Sequence, residues 1–526
     1  MTKILTPMIG ALLSLRGRAE IKSDDPSNFF AMIQQSRRHR LNFDADPDNQ
    51  CPRSDSRWPF VSMAGISSSR IGFKMEIFMN IRGSQHRPLQ NTLPFIIVLL
   101  FCTISGCRKP APVPVTVTFL DAEWLYPDEL PRAEREFREF TRETGIAIEH
   151  PPIPETLFSS LDPMPQLNLL RRVLQEGGPG PDVLNIDVIW PGILEDDLID
   201  LRPYFAAELS SQAPQLVSSY TVHGKVVAVP YHTHVGVLAY RTDLLREYGY
   251  SHPPETWDEL ENMAARIQAG ERAKGRKDFW GYVWQGAATE GLMCNALEWQ
   301  VAEGGGRIIE DDETISVNNP AAIRAWRRPA SWIGRISPPA VLVYRETDSL
   351  NVWNTGNAAF MRSWGWGYRL THPLESPVRE RTGYTSMPGG RGGRVGTLGG
   401  YGLAVSRSSA HPREAVALIR FLIARDQRSE ADQSHFEPSS EPQLYDLPQI
   451  LQAYAPSHQL SQPSSRLVSR PSNVGGHVYE DVTQAYIQAV HSVLTGERSA
   501  PRAAASLEKQ LVAITGFKTG PPKTWK

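Results

Sequence analysis

VTVTFLDAEWLYPDELPRAEREFREFTRETGIAIE, residues 115–149, decides the fold class of this 526-residue chain. Its first six residues alternate threonine with apolar side chains, which is typical of a strand. Pro131 to Thr144 has the charge pattern of a surface helix, and the glycine that follows, Gly145, is a good helix C-cap. Ile146–Glu149 is a second predicted strand. A strand, a helix and a strand in succession indicate a parallel sheet with helical crossovers.

The same alternation continues downstream and predicts an α/β fold. A helix is predicted at 167–175 and a strand at Asp182–Ile186, entered through a Pro/Gly turn. Thr256-Trp-Asp-Glu259 has the spacing of a capping box that opens a helix running to about Gln268. Further elements are predicted as strands at 226–230 and 235–240, and as helices at 321–333, 412–424 and 480–494.

The apolar run Leu93–Ile104 has the features of an export signal. Basic residues precede it, and Ile104-Ser-Gly-Cys107 follows it. The run is too short to span a membrane, which takes about 20 apolar residues. A buried strand or helix is the alternative interpretation. We expect a signal peptide at 79–106 and a Pro-rich tether at 107–114; residues 1–78 are then either an over-long gene start, which we favour, or a disordered leader.

Composition limits the classes of function. Residues 107–526 carry 42 Lys/Arg against 49 Asp/Glu, so the basic field that nucleic acid requires is lacking. Only Cys107 and Cys294 of the four cysteines lie beyond the predicted cleavage site, so no internal disulfide is expected once Cys107 carries lipid.

The sequence lacks the common motifs for hydrolytic catalysis and for metal binding. HExxH, GxSxG and paired CxxC motifs are missing from the sequence. Met387–Gly400 is glycine-rich but lacks the Lys-Ser/Thr of a phosphate loop, so it is predicted to be a flexible connection. His232 and His234 could face a metal, yet two imidazoles do not complete a shell of about four ligands. We therefore predict no catalytic residues, no metal and no cofactor.

Tryptophan is unusually dense between residues 280 and 368. In Trp364-Gly-Trp366-Gly-Tyr368 three aromatics are spaced by glycines, which let a ligand approach the backbone closely. Aromatic faces with a few placed polar groups form typical sugar sites. The alternative interpretation is a bulged hairpin that fills core.

Several segments together resemble the extracellular solute-binding proteins of sugar ABC transporters, and most closely their trehalose/maltose-binding branch. The segments that carry the resemblance are DVLNIDVIWPGILEDDLIDLRPYF (182–205), VPYHTHVGVLAYRTDLLREY (229–248), PETWDEL (254–260), FWGYVWQGAATEGLMCNALEW (279–299), VNNPAAIRA (317–325), NAAFMRSWGW (357–366) and TLGGYGLAVS (397–406).

This resemblance implies a two-lobed periplasmic-binding-protein fold with a hinge and with discontinuous lobes. The N-terminal lobe would comprise 115–230 with 380–430, and the C-terminal lobe 231–379 with 431–512. Residues 513–526 would form a tail.

The resemblance also implies a set of ligand-binding residues. Asp187 matches an aspartate that follows a strand, and Arg470 matches an arginine that reaches the cleft. His234 stands where the family has a carboxylate, and His232 where an aromatic is common; an imidazole offers a donor and an acceptor, whereas a carboxylate only accepts. The full expected set is Glu123, Asp187, Tyr231, His232, His234, Trp284, Trp364, Trp366, Tyr401 and Arg470.

The function implied is that of an exported, monomeric lipoprotein, anchored through Cys107 to the cell membrane and facing the periplasm or cell exterior. It would capture a di- or trisaccharide and deliver it to the transmembrane subunits of an ABC permease. Two alternatives stay open at this point. One is an exported carbohydrate-active enzyme, which requires two carboxylates about 5–10 Å apart. The other is a lipoprotein that senses sugar without transport.

Overall fold

The computed structural model describes residues 115–121, 130–150, 162–175, 180–364, 376–426 and 465–523. The predicted signal peptide, the lipidation site Cys107 and the tether lie outside the described residues. So do the predicted ligand contacts Glu123 and Trp366. Within the described part, no helix is long and apolar enough to cross a membrane.

Strands and helices alternate through the described chain, as the sequence predicts. The strands are β1 (Thr116–Asp121), β2 (Ala147–Glu149), β3 (Val183–Asp187), β4 (Thr221–Val222), β5 (Lys225–Val226), β6 (Val229–Arg241), β7 (Trp280–Val283), β8 (Ala358–Trp364), β9 (Thr382–Ser386), β10 (Arg394–Val405) and β11 (Ser465–Val468). The helices are α1 (Leu130–Thr144), α2 (Pro163–Gln175), α3 (Pro191–Leu194), α4 (Ala206–Ser211), α5 (Pro214–Ser219), α6 (Thr242–Glu247), α7 (Trp257–Ala273), α8 (Glu290–Ala302), α9 (Pro320–Ala330), α10 (Glu346–Asn354), α11 (Pro412–Asp426), α12 (Ser472–Gly475), α13 (Tyr479–Leu494) and α14 (Ala500–Thr515).

The first strands form the parallel sheet that the opening stretch predicts. β1 pairs in parallel with β2 on one side and with β3 on the other. Gly145 ends α1 with a φ of 75° and donates its backbone N–H to the Thr141 carbonyl at 2.9 Å, so its role as a C-cap is confirmed. The phenylalanines of β1 and α1 pack with α11 in one buried cluster that contains Phe119, Phe137, Phe140, Leu418 and Ile419.

Two long strands connect the two halves of the sheet. The strand order is β2-β1-β3-β10-β6-β8-β7. Residues 229–235 of β6 pair with β10, whereas residues 236–241 pair with β8 and β9. β10 in turn pairs with β3 through residues 401–405 and with β11 through residues 394–397. The separate strands predicted at 226–230 and 235–240 are therefore largely one continuous strand, shared by both halves.

Two local predictions have different outcomes. The capping box is confirmed, because Glu259 N–H donates to Thr256 Oγ1 at 3.2 Å and Glu259 Oε2 accepts from Thr256 N–H at 3.3 Å. The helix it opens, α7, extends beyond Gln268 to Ala273. The prediction of a flexible connection at Met387–Gly400 is wrong. This stretch forms a hydrogen-bonded turn and then the first half of β10.

The lobe boundaries expected from the resemblance stay a prediction. The expected boundary at residue 380 falls just before β9, which begins at Thr382. β9 pairs with residues 237–241 of β6, in the half of the sheet that also contains β8. Helix α11 packs on the β1 side.

Gly400 lies on β10 where the strand pairs with β6, opposite Thr233. Its φ of +122° lies in a region that residues other than glycine rarely adopt, and a Cβ there would clash with the His232 carbonyl oxygen. Tyr401 and Gly402 follow with a register shift.

We predict that Gly400→Ala lowers the free energy of unfolding by about 3 kcal/mol or more, because backbone strain and a steric clash add. Gly224→Ala is the matched control, since Gly224 has a φ of +80° but no atom within 4 Å of its Cβ position. That variant should lose only about 1–2 kcal/mol, the cost of the backbone conformation. Urea unfolding of both variants measures the difference. Equal losses would show that the close approach contributes nothing.

Candidate functional site

Asp187 lies at the carboxyl end of β3, where the chain turns toward α3. Its Oδ1 accepts a hydrogen bond from Ile189 N–H at 3.0 Å, and only 7% of the residue is exposed. Next to it, Val188 N–H donates to the Gly400 carbonyl at 2.9 Å, which fixes the turn against β10. Burial raises the pKa of the Asp187 carboxyl to about 6. This carboxylate is therefore both well positioned and costly to ionise.

Arg470 follows β11 and is 6% exposed. Its Nη1 donates to Glu290 Oε2 at 3.0 Å, and its Nη2 lies 3.5 Å from Asp187 Oδ1. Glu290, the first residue of α8, also accepts hydrogen bonds from Thr483 Oγ1 at 2.6 Å and from the Tyr479 hydroxyl at 3.3 Å. The guanidinium thus joins the end of β3 to the start of α8.

Aromatic side chains of β6 and β10 lie beside this charged cluster. In the sheet, Tyr401 of β10 is the register partner of Asp187 on β3 and of His232 on β6. His234 is 5% exposed, and its ring meets Tyr401 edge to face at 6.1 Å. The rings of Tyr231 and His232 stack with centroids 3.9 Å apart. His234 also acts electrostatically on Asp187, in the direction that lowers the pKa of its carboxyl.

Trp364, the last residue of β8, is held from behind by a buried ion pair. The Arg362 guanidinium lies 3.9 Å from the Trp364 ring centroid and donates to Glu298 Oε1 at 2.8 Å. Gly399 makes room for the indole, because a Cβ at Gly399 would lie 3.0 Å from Trp364 Cζ3 and 3.6 Å from His234 Cβ. Trp364 therefore borders the same part of β10 as His234.

Trp284 is placed differently from the other predicted contacts. It is 0% exposed, donates from Nε1 to Ser337 Oγ at 3.0 Å, and meets Trp299 edge to face at 5.1 Å. Trp332 lies in the same cluster. The full burial of Trp284 favours a packing role.

The structure thus brings together Asp187, His234, Tyr401, Trp364 and Arg470, with Tyr231 and His232 in the adjoining part of β6. In the described part of the chain, no group of three or more His, Cys, Asp or Glu side chains is arranged to hold a metal ion.

Comparison with known proteins gives the family. Residues 135–428 match the model of the bacterial extracellular solute-binding proteins. The chain belongs to this family. A relative in Deinococcus radiodurans, described as a probable ABC transporter-binding protein, is 42% identical over 354 residues, which are 67% of this solute-binding protein and 84% of the relative.

Solved structures show the same fold. Maltose-bound MalE3 of T. maritima is 30% identical, has a TM-score of 0.66, and is covered completely by 76% of this solute-binding protein. The GacH receptor of Streptomyces glaucescens, solved unliganded and with acarbose, is 19% identical with a TM-score of 0.63; the match covers 77% of this chain and all of GacH. The predicted two-lobed α/β fold and the predicted family are confirmed.

Sequence reasoning missed other acidic groups of this solute-binding protein. Glu346 opens α10, close to Gly291 of α8, and burial raises the pKa of its carboxyl. Burial also raises the pKa of the Asp162 carboxyl, on which Arg345 and Arg470 act in the opposite direction. Asp162 accepts from Met164 N–H at 3.1 Å, ahead of Pro163. Aspartate before an N-terminal proline is a usable helix-start signal. Glu346 has no comparable sequence signal.

We predict that Asp187 makes the solute-binding protein less stable as the pH rises. The carboxyl pKa is about 6 in the folded protein against an ordinary value of 3.8, so the folded state holds the proton more tightly. Its contribution is greatest below about pH 4 and falls by about 3 kcal/mol through pH 6, at 1.36 kcal/mol per pKa unit. The difference between the free energies of unfolding at pH 4 and at pH 7 should therefore be smaller in Asp187→Asn than in the wild type. An unchanged pH slope in that variant would contradict this assignment.

We predict that Arg470→Met lowers the free energy of unfolding by about 3–5 kcal/mol, because it leaves Glu290 and Asp187 buried without their cation. Adding Glu290→Gln should recover part of this loss, since an amide tolerates burial better than an unpaired carboxylate. Denaturant unfolding of both single variants and the double variant gives the coupling. Strictly additive losses would show that the pair is not coupled.

Proposed function

We propose that this solute-binding protein captures a di- or oligosaccharide of the trehalose/maltose type for an ABC importer. The observation that carries the proposal is the convergence of Trp364, His234, Tyr401, Asp187 and Arg470 on the strands that both halves of the sheet share. Support comes from the similarity to the maltose-bound MalE3 of T. maritima and to the probable ABC transporter-binding protein of Deinococcus radiodurans.

The side chains fit the two chemical aspects of a sugar. The Trp364 indole, backed by Arg362, is a platform for the apolar face of a pyranose ring. Asp187 accepts from hydroxyl groups, Arg470 donates to them, and the His234 imidazole does both when neutral. Tyr401 contributes a smaller aromatic face with its own hydroxyl. Trp366 is proposed as a second platform and Glu123 as a further acceptor at the edge of the site.

Ligand capture would involve closure about β6 and β10. These two strands connect the two halves of the sheet. Gly399 and Gly400 of β10 lie in the part that pairs with β6. Hinge closure commonly depends on a few residues at such crossings. A closed, sugar-loaded form would then be the one that the transmembrane subunits of the permease recognise.

Export and anchoring complete the proposal. The protein would be secreted with residues 79–106 as its signal, lipid-modified at Cys107, and active as a monomer tethered by residues 107–114. Two or more acyl chains give stable anchoring, at about 0.8 kcal/mol per buried methylene. The lobes would follow the boundaries implied by the resemblance, except that Thr382–Ser386 would belong to the C-terminal lobe, because β9 pairs with the second half of β6.

The arrangement of charges favours binding over bond cleavage. Asp187 and Glu290 both interact with Arg470. A glycosidase instead holds an acid and a base on opposite sides of a glycosidic bond. Incubation with trehalose or maltose should therefore release no glucose. Release of glucose would favour the enzyme alternative, and failure to capture permease subunits from membranes would favour the sensor.

We predict that one disaccharide of a panel of trehalose, maltose and sucrose raises the melting temperature, because a ligand that binds only the folded state stabilises it by mass action. Trp364→Ala should abolish this rise. Trp280→Ala is the matched control, since Arg272 lies 4.3 Å from the Trp280 ring in a similar cation–π contact. Trp280 pairs with Ala358, at the opposite end of β8 from Trp364, about 20 Å along the strand.

Both variants should be compared at the same sugar concentration. The control should keep the full rise even though its own melting temperature is lower. A rise that persists in Trp364→Ala, or no rise with any sugar, would contradict the proposed ligand class.

A further inference from the structure

A concave site lies between the start of α7, the exposed face of α9 and the turn before β10. Its volume is about 590 Å³, within the range of about 300–1,000 Å³ that is typical of small-ligand pockets. It is lined by Thr256, Trp257, Asp258, Glu303, Arg324, Arg327, Arg328, Gly389, Gly390 and Arg391. None of the proposed sugar contacts is among these residues. We call it the arginine pocket.

Helix α9 supplies three arginines to one face. Arg324, Arg327 and Arg328 are spaced so that their side chains are neighbours on the helix surface. Arg328 is neutralised: it interacts with Asp258 at 2.6 Å, with Glu261 at 2.9 Å and with Glu303 at 3.5 Å. Both carboxylates that line the arginine pocket are therefore already paired with Arg328.

Arg324 and Arg327 are exposed, and their guanidinium groups make no ion pair or hydrogen bond within the described structure. Two like charges one turn apart repel each other weakly in the absence of an anion. A bound anion would turn this repulsion into attraction.

The glycine-rich turn before β10 supplies a further arginine to the lining. Arg391 stands between Gly390 and Gly392, and a Cβ at Gly390 would lie 2.7 Å from the Ala302 carbonyl oxygen. Gly392 N–H donates to the same oxygen at 2.6 Å, so the turn is pressed onto the end of α8. Arg391 is exposed at the tip of this turn. The glycines thus fix the backbone on either side of Arg391.

We propose that the arginine pocket binds a small oxyanion with at least two negative charges, of the phosphate or pyrophosphate type. Arg324, Arg327 and Arg391 provide three guanidinium groups that no carboxylate of the lining neutralises. Guanidinium groups match the oxygens of phosphate in planar, bidentate hydrogen bonds, and such charge-assisted bonds are about twice as strong as neutral ones. The concave shape favours a small ligand over a flat protein surface.

Calorimetric titration of the purified protein with pyrophosphate at low ionic strength tests the proposal. We expect saturable binding of one pyrophosphate per chain, which weakens as salt screens the charges. Arg327→Gln and Arg391→Gln should each weaken binding roughly tenfold, as expected for the loss of one charge-assisted contact. Arg138→Gln is the control, because Arg138 is an exposed arginine on α1 that pairs with Glu134; it should bind as the wild type does.

The sugar-dependent rise in melting temperature should be unchanged in all three variants, which separates this proposal from the sugar site. Three results would overturn it: no saturable binding of pyrophosphate, equal weakening in Arg138→Gln, or binding of polyglutamate without binding of pyrophosphate.

Discussion

The buried guanidinium of Arg470 is the interaction on which the candidate site depends. It meets Asp187 and Glu290, which lie 283 and 180 residues away in sequence, and so joins β3, α8 and the segment after β11. A buried charge without partners is strongly unfavourable, and therefore these elements must come together as a set. Thr483 and Tyr479 of α13 also donate to Glu290, which extends the network into the next helix. Polar groups are thereby fixed in place before any ligand arrives.

Glycine provides the second constraint, because it allows large side chains to lie against the crossing strands. A side chain at Gly236 would displace the Glu298 carboxylate from Arg362, and one at Gly399 would press on Trp364. The Glu298–Arg362 pair, fully buried, in turn supports the indole ring. The aromatic platform therefore depends on the buried ion pair, and both depend on the close packing of the strands. A sugar site needs this combination of a rigid apolar face and oriented polar groups.

Local signals in the sequence predicted local structure well. The alternation at 115–149, the C-cap Gly145 and the capping box Thr256–Glu259 each depend on neighbouring residues, and each forms as expected. The continuity of β6 was not predictable, since Pro230, His232 and His234 interrupt its apolar pattern. Tertiary pairing with β10 and β8 overrides that interruption.

Contacts between distant segments could not be predicted from periodicity. The proximity of Asp187 and Arg470 was expected only because both match positions in the family. Trp284 stays a predicted ligand contact. Its enclosure by Trp299 and Trp332 was not predictable, because an indole at that position suits a core as well as a cleft. The prediction of a flexible connection at 387–400 is wrong for a related reason, because glycine permits close packing as readily as it permits flexibility.

A crystal structure of the protein with the disaccharide that stabilises it tests the central claim most directly. The account predicts one sugar ring stacked on Trp364, with hydroxyl groups within hydrogen-bonding distance of Asp187, His234 and Arg470. A sugar bound elsewhere, or a site whose polar groups contact only water in sugar-saturated crystals, would contradict it.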